Sequence, residues 1–141
     1  MTLRTPAKIN LTLRVGDRRA DGFHEVRTVL QSIGLSDTLT FERTKAPFRL
    51  TISGADLPSD RSNLIWRAAT ALWSAAGRAG DPHGARVTLR KAIPVAAGLG
   101  GGSANAAGAL VGLNRLWRLD LGRADLDRLA ASLGSDVPFF L

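Results

Sequence analysis

Three consecutive glycines, Gly100 to Gly102, stand in a stretch from residue 94 to 113 that carries no charged side chain. The segment before them, ARVTLRKAI, is typical of a strand, and the segment after them, SANAAGALVGLNRLW, is typical of a helix. A glycine-rich turn that leads into a helix collects free N–H groups at the positive end of the helix dipole, and glycine lets an anion approach the backbone. The stretch therefore predicts a phosphate-binding loop.

Other interpretations of the same stretch are weaker. The P-loop motif needs a lysine after the glycines, and the dinucleotide motif needs a glycine where Ser103 stands. A membrane span would need more large apolar side chains than the stretch contains. A tight turn without a ligand remains an alternative, although three adjacent glycines carry an entropic cost that such a turn would not require.

The composition is that of one globular domain. The chain has 141 residues, of which 45% are hydrophobic and 22% are charged, and it has no cysteine, which excludes disulfides and cysteine-ligated metals. A net charge of +7 is consistent with a partner that is a nucleic acid or a phosphorylated small molecule. Scattered basic residues and few aromatic rings argue against a nucleic-acid surface. The N-terminal residues lack the apolar run of a signal peptide, so we expect a cytoplasmic protein.

The elements that would position the loop follow from periodicity. Ile9, Leu11, Leu13 and Val15 alternate with polar residues, as in a strand. The predicted strands are 7–15, 23–33, 37–43, 48–53 and 84–93, with a turn near Gly34 between the second and third. The predicted helices are 64–79, capped by Ser62 or Asn63 and ended at Gly80, then 103–117 and 123–134. Strands that come mostly before helices indicate an α+β fold.

Seven segments, in order, resemble those of the 4-diphosphocytidyl-2-C-methyl-D-erythritol kinases, a family within the GHMP kinase superfamily. They are PAKINLTLRV, RRADGFHEVRTVLQSI, LSDTLTF, SNLIWRAA, IPVAAGLGGGSANAAGAL, LNRLWRLDL and LGSDVPFF. The resemblance implies a ribosomal protein S5 domain 2-like α+β fold. It also implies that residues 1–141 are the N-terminal, ATP-binding domain and that a C-terminal GHMP domain follows, an expectation with which the apolar end of the sequence agrees.

The activity implied by the resemblance is the transfer of phosphate from ATP to the 2-hydroxyl of 4-diphosphocytidyl-2-C-methyl-D-erythritol, in the non-mevalonate route to isoprenoid precursors. The implied co-substrate is ATP with Mg²⁺, and no protein side chain is assigned to the metal. The partners are expected to be small molecules, not nucleic acid or membrane, and the protein a monomer or homodimer.

The resemblance further implies roles for individual residues. Lys8 and Asp136 match the catalytic lysine and aspartate. Asn10 matches a contact to the methylerythritol end of the substrate, and Phe23 and His24 match the pair that holds the cytosine. The positions that match the ATP site are Asn63, Leu64, Lys91, Pro94, Val95, Ala96, Ala97, Gly98, Leu99, Gly100, Gly101, Gly102, Ser103 and Ala104.

Two positions depart from the family pattern. Phe23 stands where the family often has tyrosine, so the ring can stack but lacks a hydroxyl. Ala104 stands where the loop usually has a second serine, so we expect a weaker grip on phosphate or Mg²⁺.

Two other functions remain as alternatives. One is a different GHMP kinase that acts on homoserine, mevalonate or a sugar, against which the segment DGFH argues. The other is a non-catalytic domain that binds ATP or RNA. Without the resemblance, Lys8 could equally be a solvated lysine on a strand, and Asp136 a turn residue before Pro138.

Overall fold

The computed structural model describes residues 1–18, 22 and 24–141. Over these residues a four-stranded sheet is combined with three α-helices and one 3₁₀ turn. The strands are β1 (Thr2–Arg18), β2 (His24–Pro47), β3 (Arg49–Ser53) and β4 (His83–Arg90), and the helices are α1 (Leu64–Ala75), α2 (Gly101–Trp117) and α3 (Arg123–Leu133), followed by the 3₁₀ turn Val137–Phe140. The strand order is β1-β2-β4-β3, with β3 and β4 parallel and the other pairs antiparallel.

The predicted turn near Gly34 is wrong, because β2 runs without interruption from residue 24 to 47. Pro6 pairs with Ser36 and Lys8 pairs with Ser32, so three residues of β2, 33–35, lie opposite the single residue Ala7. Gly34 therefore belongs to a bulge, which is the other structure that an isolated glycine in a strand pattern indicates. This bulge lies beside Lys8.

The helices differ from the prediction mainly at their ends. The predicted cap of α1 is confirmed, because the Asn63 side chain accepts a hydrogen bond from the N–H of Ile65 at 2.9 Å. The helix ends at Ala75 instead of residue 79, since Gly77 takes a positive φ of 70°. Helix α2 begins at Gly101, two residues before the predicted start, so two of the three glycines are helical.

The hydrophobic core lies between the sheet and the helices. Its fully buried side chains include Leu39, Phe41, Val87 and Leu89 from the sheet and Ile65, Leu72, Leu110 and Leu113 from the helices. Helix α2 approaches the sheet closely because Gly112 faces the ring of Phe41. No helix in the described ranges is long and apolar enough to cross a membrane.

The outer half of the β1–β2 ribbon is not part of this core. β1 is extended as predicted, but a bulge between Asn10 and Thr12 breaks the predicted alternation. Its apolar side chains are exposed: Leu11, Leu13 and Val15 are 58%, 57% and 61% accessible. In β2, Val29 is also exposed. The sheet therefore buries its helix-facing half and leaves an apolar strip uncovered on the ribbon.

Candidate functional site

The glycine loop joins the end of β4 to the start of α2. Gly100 is the N-cap residue of α2, with a left-handed backbone (φ 69°) and no side-chain cap. The first N–H that bonds within the helix is that of Ala104, which donates to the Gly100 carbonyl at 2.9 Å. The N–H groups of Gly101, Gly102 and Ser103 precede it and so have no intrahelical acceptor. The start of α2 thus offers donors and a positive dipole end together.

A cavity of about 400 Å³ opens at this helix start. A volume in this range suits a small-molecule ligand. The cavity is lined by Leu57, Pro58, Asn63, Leu64, Leu89, Lys91, residues 94–103 and Asn105. The structure therefore brings every predicted ATP-site residue except Ala104 to one cavity.

Ala104 does not line this cavity. Its side chain is 1% exposed, and its N–H is used by the helix. A serine hydroxyl at this position would point into the interior, so the expectation that Ala104 weakens a phosphate contact is not supported by the geometry. Asn105, which the sequence did not single out, lines the cavity instead.

Lys8 and Asp136 form an ion pair next to the glycine loop. The Lys8 Nζ lies 3.4 Å from Asp136 Oδ2; the lysine side chain is 9% exposed and the aspartate side chain 40%. The Lys8 N–H donates to the Leu99 carbonyl at 2.9 Å, which fixes β1 to the loop. A Cβ on Gly100 would come within 2.9 Å of Lys8 Cγ, so glycine is needed here both for its positive φ and for this close approach.

Asn10 holds the Lys8 ammonium from the other side. Lys8 Nζ donates to Asn10 Oδ1 at 2.6 Å, and Asn10 Nδ2 donates to Thr28 Oγ1 at 2.9 Å. The Thr28 hydroxyl donates in turn to the Thr12 carbonyl at 2.7 Å. Because this hydroxyl is committed as a donor to the carbonyl, it accepts from the Asn10 amide and turns the amide oxygen toward Lys8.

Asp37 is a fully buried carboxylate behind the loop. Its Oδ1 accepts from the N–H groups of Ala92 and Ile93, at 2.7 and 2.8 Å, and its Oδ2 accepts from Lys91 Nζ at 2.8 Å and Asn105 Nδ2 at 2.9 Å. Burial alone would raise the pKa of Asp37. The hydrogen bonds from Ile93, Lys91, Ala92 and Asn105 outweigh burial and hold this pKa below its ordinary value.

Two of the predicted substrate contacts cannot be located. Phe23 and the side chain of His24 lie outside the described part of the chain. The His24 backbone belongs to β2, opposite Arg18. Asn10, the third predicted contact, is bonded to Lys8 as given above.

Sequence reasoning missed Thr5, Thr28, Asp37 and Asn105. Asp37 and Asn105 had a signal, since each is a polar residue inside a segment of strand or helix formers, where a buried polar group must have a partner. Thr5 is also buried and donates to Asn105 Oδ1 at 2.7 Å. Thr28 had no signal, because a threonine in a strand is ordinary.

A glycine loop at a helix start lies next to a lysine–aspartate pair in this α+β fold, an arrangement that suits a phosphate-bearing ligand. The family model described as GHMP kinases N terminal domain matches residues 63–141. The chain belongs to the GHMP kinases, and its predicted α+β fold is confirmed.

Individual relatives of known name are similar to the chain at a more specific level than the family. The chain is 50% identical, over its whole length, to the 4-diphosphocytidyl-2-C-methyl-D-erythritol kinase of Saccharopolyspora erythraea, of which it covers 45%. It is 54% identical to the protein of the same name in Pelotomaculum thermopropionicum, of which it covers 48%. The chain spans about half the length of the curated relatives it matches.

Solved structures give the same result. A crystal structure of 4-(cytidine 5′-diphospho)-2C-methyl-D-erythritol kinase matches 99% of this chain and 48% of its own, with a TM-score of 0.80 and 43% identity. The mevalonate kinase of Methanococcus jannaschii matches 94% of this chain and 45% of its own, with a TM-score of 0.67 and 16% identity. At 16% identity, the similarity to the mevalonate kinase shows only a shared fold.

Proposed function

We propose that this chain is the ATP-binding part of a kinase that phosphorylates the 2-hydroxyl of 4-diphosphocytidyl-2-C-methyl-D-erythritol. The observation that carries the phosphotransfer is the Lys8–Asp136 pair, which is held next to the free N–H groups of α2 by the bond from Lys8 to the Leu99 carbonyl. The choice of acceptor rests on the names of relatives that are about half identical over the whole chain. A second domain, after residue 141, would complete the substrate site.

In this proposal the phosphates of ATP lie at the start of α2. The N–H groups of Gly101, Gly102 and Ser103 donate to phosphate oxygens, and the dipole of the helix favours their negative charge. Leu57, Leu64 and Leu89 line the same cavity and give the base and ribose an apolar wall. Asn63 contributes through its position, because its side chain is already bonded to Ile65 and to the Pro58 carbonyl.

Asp136 accepts the proton of the substrate hydroxyl. As that proton leaves, the hydroxyl oxygen forms a bond to the γ-phosphorus, the bond from this phosphorus to the β,γ-bridging oxygen breaks, and ADP departs with the bond's electron pair. Lys8 pairs with the aspartate and offsets the charge that develops on the transferred group. Asn10 accepts a hydrogen bond from the Lys8 ammonium. In this proposal it also contacts the methylerythritol end of the substrate.

Magnesium fits this site through oxygen donors. Mg²⁺ is usually bound by one or two protein oxygens together with substrate phosphates, and the Ser103 hydroxyl, which lines the cavity, would be such a donor. Within the described residues no group of three or more histidine, cysteine or acidic side chains could hold a metal ion by itself. Bound with ATP, Mg²⁺ would neutralise phosphate charge.

We place the reaction in the cytoplasm, where ATP is available.

The segment DGFH carries the proposed choice of a cytidyl substrate, through stacking on Phe23 and a hydrogen bond from His24. The test is a phosphotransfer assay on the full-length protein with 4-diphosphocytidyl-2-C-methyl-D-erythritol, mevalonate, homoserine and galactose as acceptors. We expect turnover of the first compound and inhibition by CDP. Turnover of another acceptor at a higher kcat/KM would contradict the proposal in favour of another GHMP kinase.

A further inference from the structure

Lys91 is the second lysine at the glycine loop. Its side chain is buried, whereas a lysine that binds a ligand is expected to have an accessible ammonium group. Its side chain is 5% exposed and its Nζ lies 2.8 Å from Oδ2 of Asp37, whose side chain is not exposed at all. The same Nζ donates to the Ile93 carbonyl at 2.8 Å. Two of the three ammonium donors are therefore used inside the protein.

The loop backbone covers the remaining face of this ammonium. A Cβ on Gly101 would lie 2.9 Å from Lys91 Nζ and 3.0 Å from Ile93 Cγ2. Gly101 thus turns its Cα hydrogens toward Lys91, so that the lysine supports the loop from beneath.

Asp37 connects this ammonium to the rest of the loop. Its other oxygen accepts from the N–H groups of Ala92 and Ile93, the residues that lead out of β4. Asn105, on the second turn of α2, donates to the same oxygen as Lys91. One carboxylate on β2 therefore fixes both the entry of the loop and the helix that follows it.

Electrostatics also favours a neutral pair here. An unpaired ammonium under the N-terminal end of α2 would be repelled by the helix dipole, and burial without a counter-ion would be costly. Lys8 differs, since its partner Asp136 is 40% exposed and can face a substrate.

We propose that Asp37 is a positioning residue for the phosphate loop and that the Lys91 ammonium is its structural counter-ion instead of a phosphate ligand. The proposal rests on the ATP site proposed above and refines it. Lys91 lines the cavity, while its charge is neutralised by Asp37. ATP affinity then depends on the shape that the pair imposes on the loop and not on the lysine charge.

The test is a double-mutant cycle with Lys91→Met, Asp37→Asn and the combined variant. Each single change leaves a buried charge unpaired, so we expect ATP affinity and the urea midpoint of unfolding both to fall. The combined variant leaves no buried charge, and the Asn105 amide can turn to accept from Asn at position 37. It should recover most of both losses, with ATP affinity within about tenfold of the parent. Lys45→Met, which removes an exposed lysine, is the matched control for the loss of one positive charge.

The readouts separate the possible outcomes. If the combined variant regains its urea midpoint but binds ATP as weakly as Lys91→Met does, the ammonium is a phosphate ligand and the proposal is overturned. Additive losses in the urea midpoint would also overturn it. If a single variant does not fold, the combined variant decides by its ATP affinity alone. If the parent chain binds no ATP, the proposed function fails, while coupling in the urea midpoints still tests the pair.

Discussion

Lys8 and Lys91 are two lysines at the glycine loop for which we propose different roles. Both ammonium groups are largely buried and both have a carboxylate partner. The difference lies in the partner: Asp37 has all its hydrogen-bonding capacity used inside the protein, whereas Asp136 is partly exposed with one oxygen directed to Lys8. Only the Asp136 carboxylate is available to a substrate hydroxyl, and it is the one to which we assign the proton transfer.

Replacing Asp136 by Asn tests this assignment. The substitution keeps the size of the side chain but removes its basicity, so turnover in the full-length protein should fall by about two to four orders of magnitude, while ATP affinity changes little. Lys8→Ala should also lower turnover, and the double variant should lose less than the sum of the single losses because the two groups act together. Asp127→Asn removes an exposed carboxylate on α3 and is the control. Turnover of Asp136→Asn at the parent rate would show that Asp136 is a turn residue.

The buried Asp37 makes a prediction about pH. Its pKa in the folded chain lies below the ordinary value of 3.8, so its carboxylate stabilises the fold above that value, and the contribution is lost as the pH falls through the folded pKa. Asp37→Asn should therefore be less stable than the parent at pH 7, and the difference should shrink below about pH 4. Urea midpoints measured from pH 7 to pH 2.5 check this. A difference that stays constant over the range would mean that the Asp37 charge contributes nothing.

Sequence alone could find only some of these residues. The glycines are recognisable because glycine is the residue type that most readily takes a positive φ, as Gly98 and Gly100 do, and Lys8 and Asp136 are recognisable only through the family motifs around them. Asp37 was missed because its partners Lys91 and Asn105 are 54 and 68 residues away in the chain. A lone aspartate in a strand pattern indicates a buried partner but does not say which residue it is.

At the scale of the elements, α2 packs against the sheet through its glycines. A Cβ on Gly112 would lie 2.3 to 2.7 Å from three carbons of the Phe41 ring, and a Cβ on Gly108 would lie 2.5 Å from Thr5 Cγ2. The segment GALVG thus serves close helix–sheet packing, and this packing holds the first turn of α2 at the end of β4. The phosphate loop depends on glycine twice, at the loop itself and two turns further along the helix.

Replacing Gly112 by Ala should force the Phe41 ring or the helix to move, because the ring is 1% exposed and has no free space around it. We expect a loss of about 1–3 kcal/mol in the free energy of unfolding. Gly102→Ala is the matched control: its Cβ would meet only Leu64 Cδ1, at 3.5 Å, so it should be neutral or slightly stabilising. Urea denaturation of both variants makes the comparison, and equal stability would show that α2 does not depend on this contact.

Elements were easier to predict than their boundaries. The strand alternation and the helical spacing predicted the three α-helices and part of every strand, but not residues 2–6 of β1 or the 3₁₀ turn. A glycine between two strand patterns, such as Gly34, favours a hairpin turn, yet the partner strand β1 continues past it and the extra residues form a bulge. The partner strand, and not the local sequence, decides whether a hairpin turn or a bulge forms.

In the whole molecule, the apolar residues of the sheet that face the helices are buried, and those on the outer part of the β1–β2 ribbon are exposed. Val137 is fully buried, and Phe140 and Leu141 pack against the core, so most of the apolar C-terminal segment is covered by this chain's own helices, with Phe139 exposed. The exposed apolar strip is on the β1–β2 ribbon instead, at Leu11, Leu13, Val15 and Val29. Alternation in the sequence predicted that Ile9, Leu11, Leu13 and Val15 share a face, but it could not predict the bulge that shifts this pattern or the exposure of these residues.

The central claim, that the cavity at the start of α2 binds ATP, is tested most directly by calorimetric titration of the chain with ATP, in the parent and in Gly102→Val. Gly102 lines the cavity, and a Cβ at this position would meet only Leu64, in ordinary contact, so we expect the variant to fold while the valine branches occupy ATP space. Gly34→Ala, where a Cβ meets nothing within 4 Å, is the control. We expect binding by the parent and the control, and binding weaker by about tenfold or more in Gly102→Val. Unchanged ATP affinity in a folded Gly102→Val, or no binding by the parent, would contradict the claim.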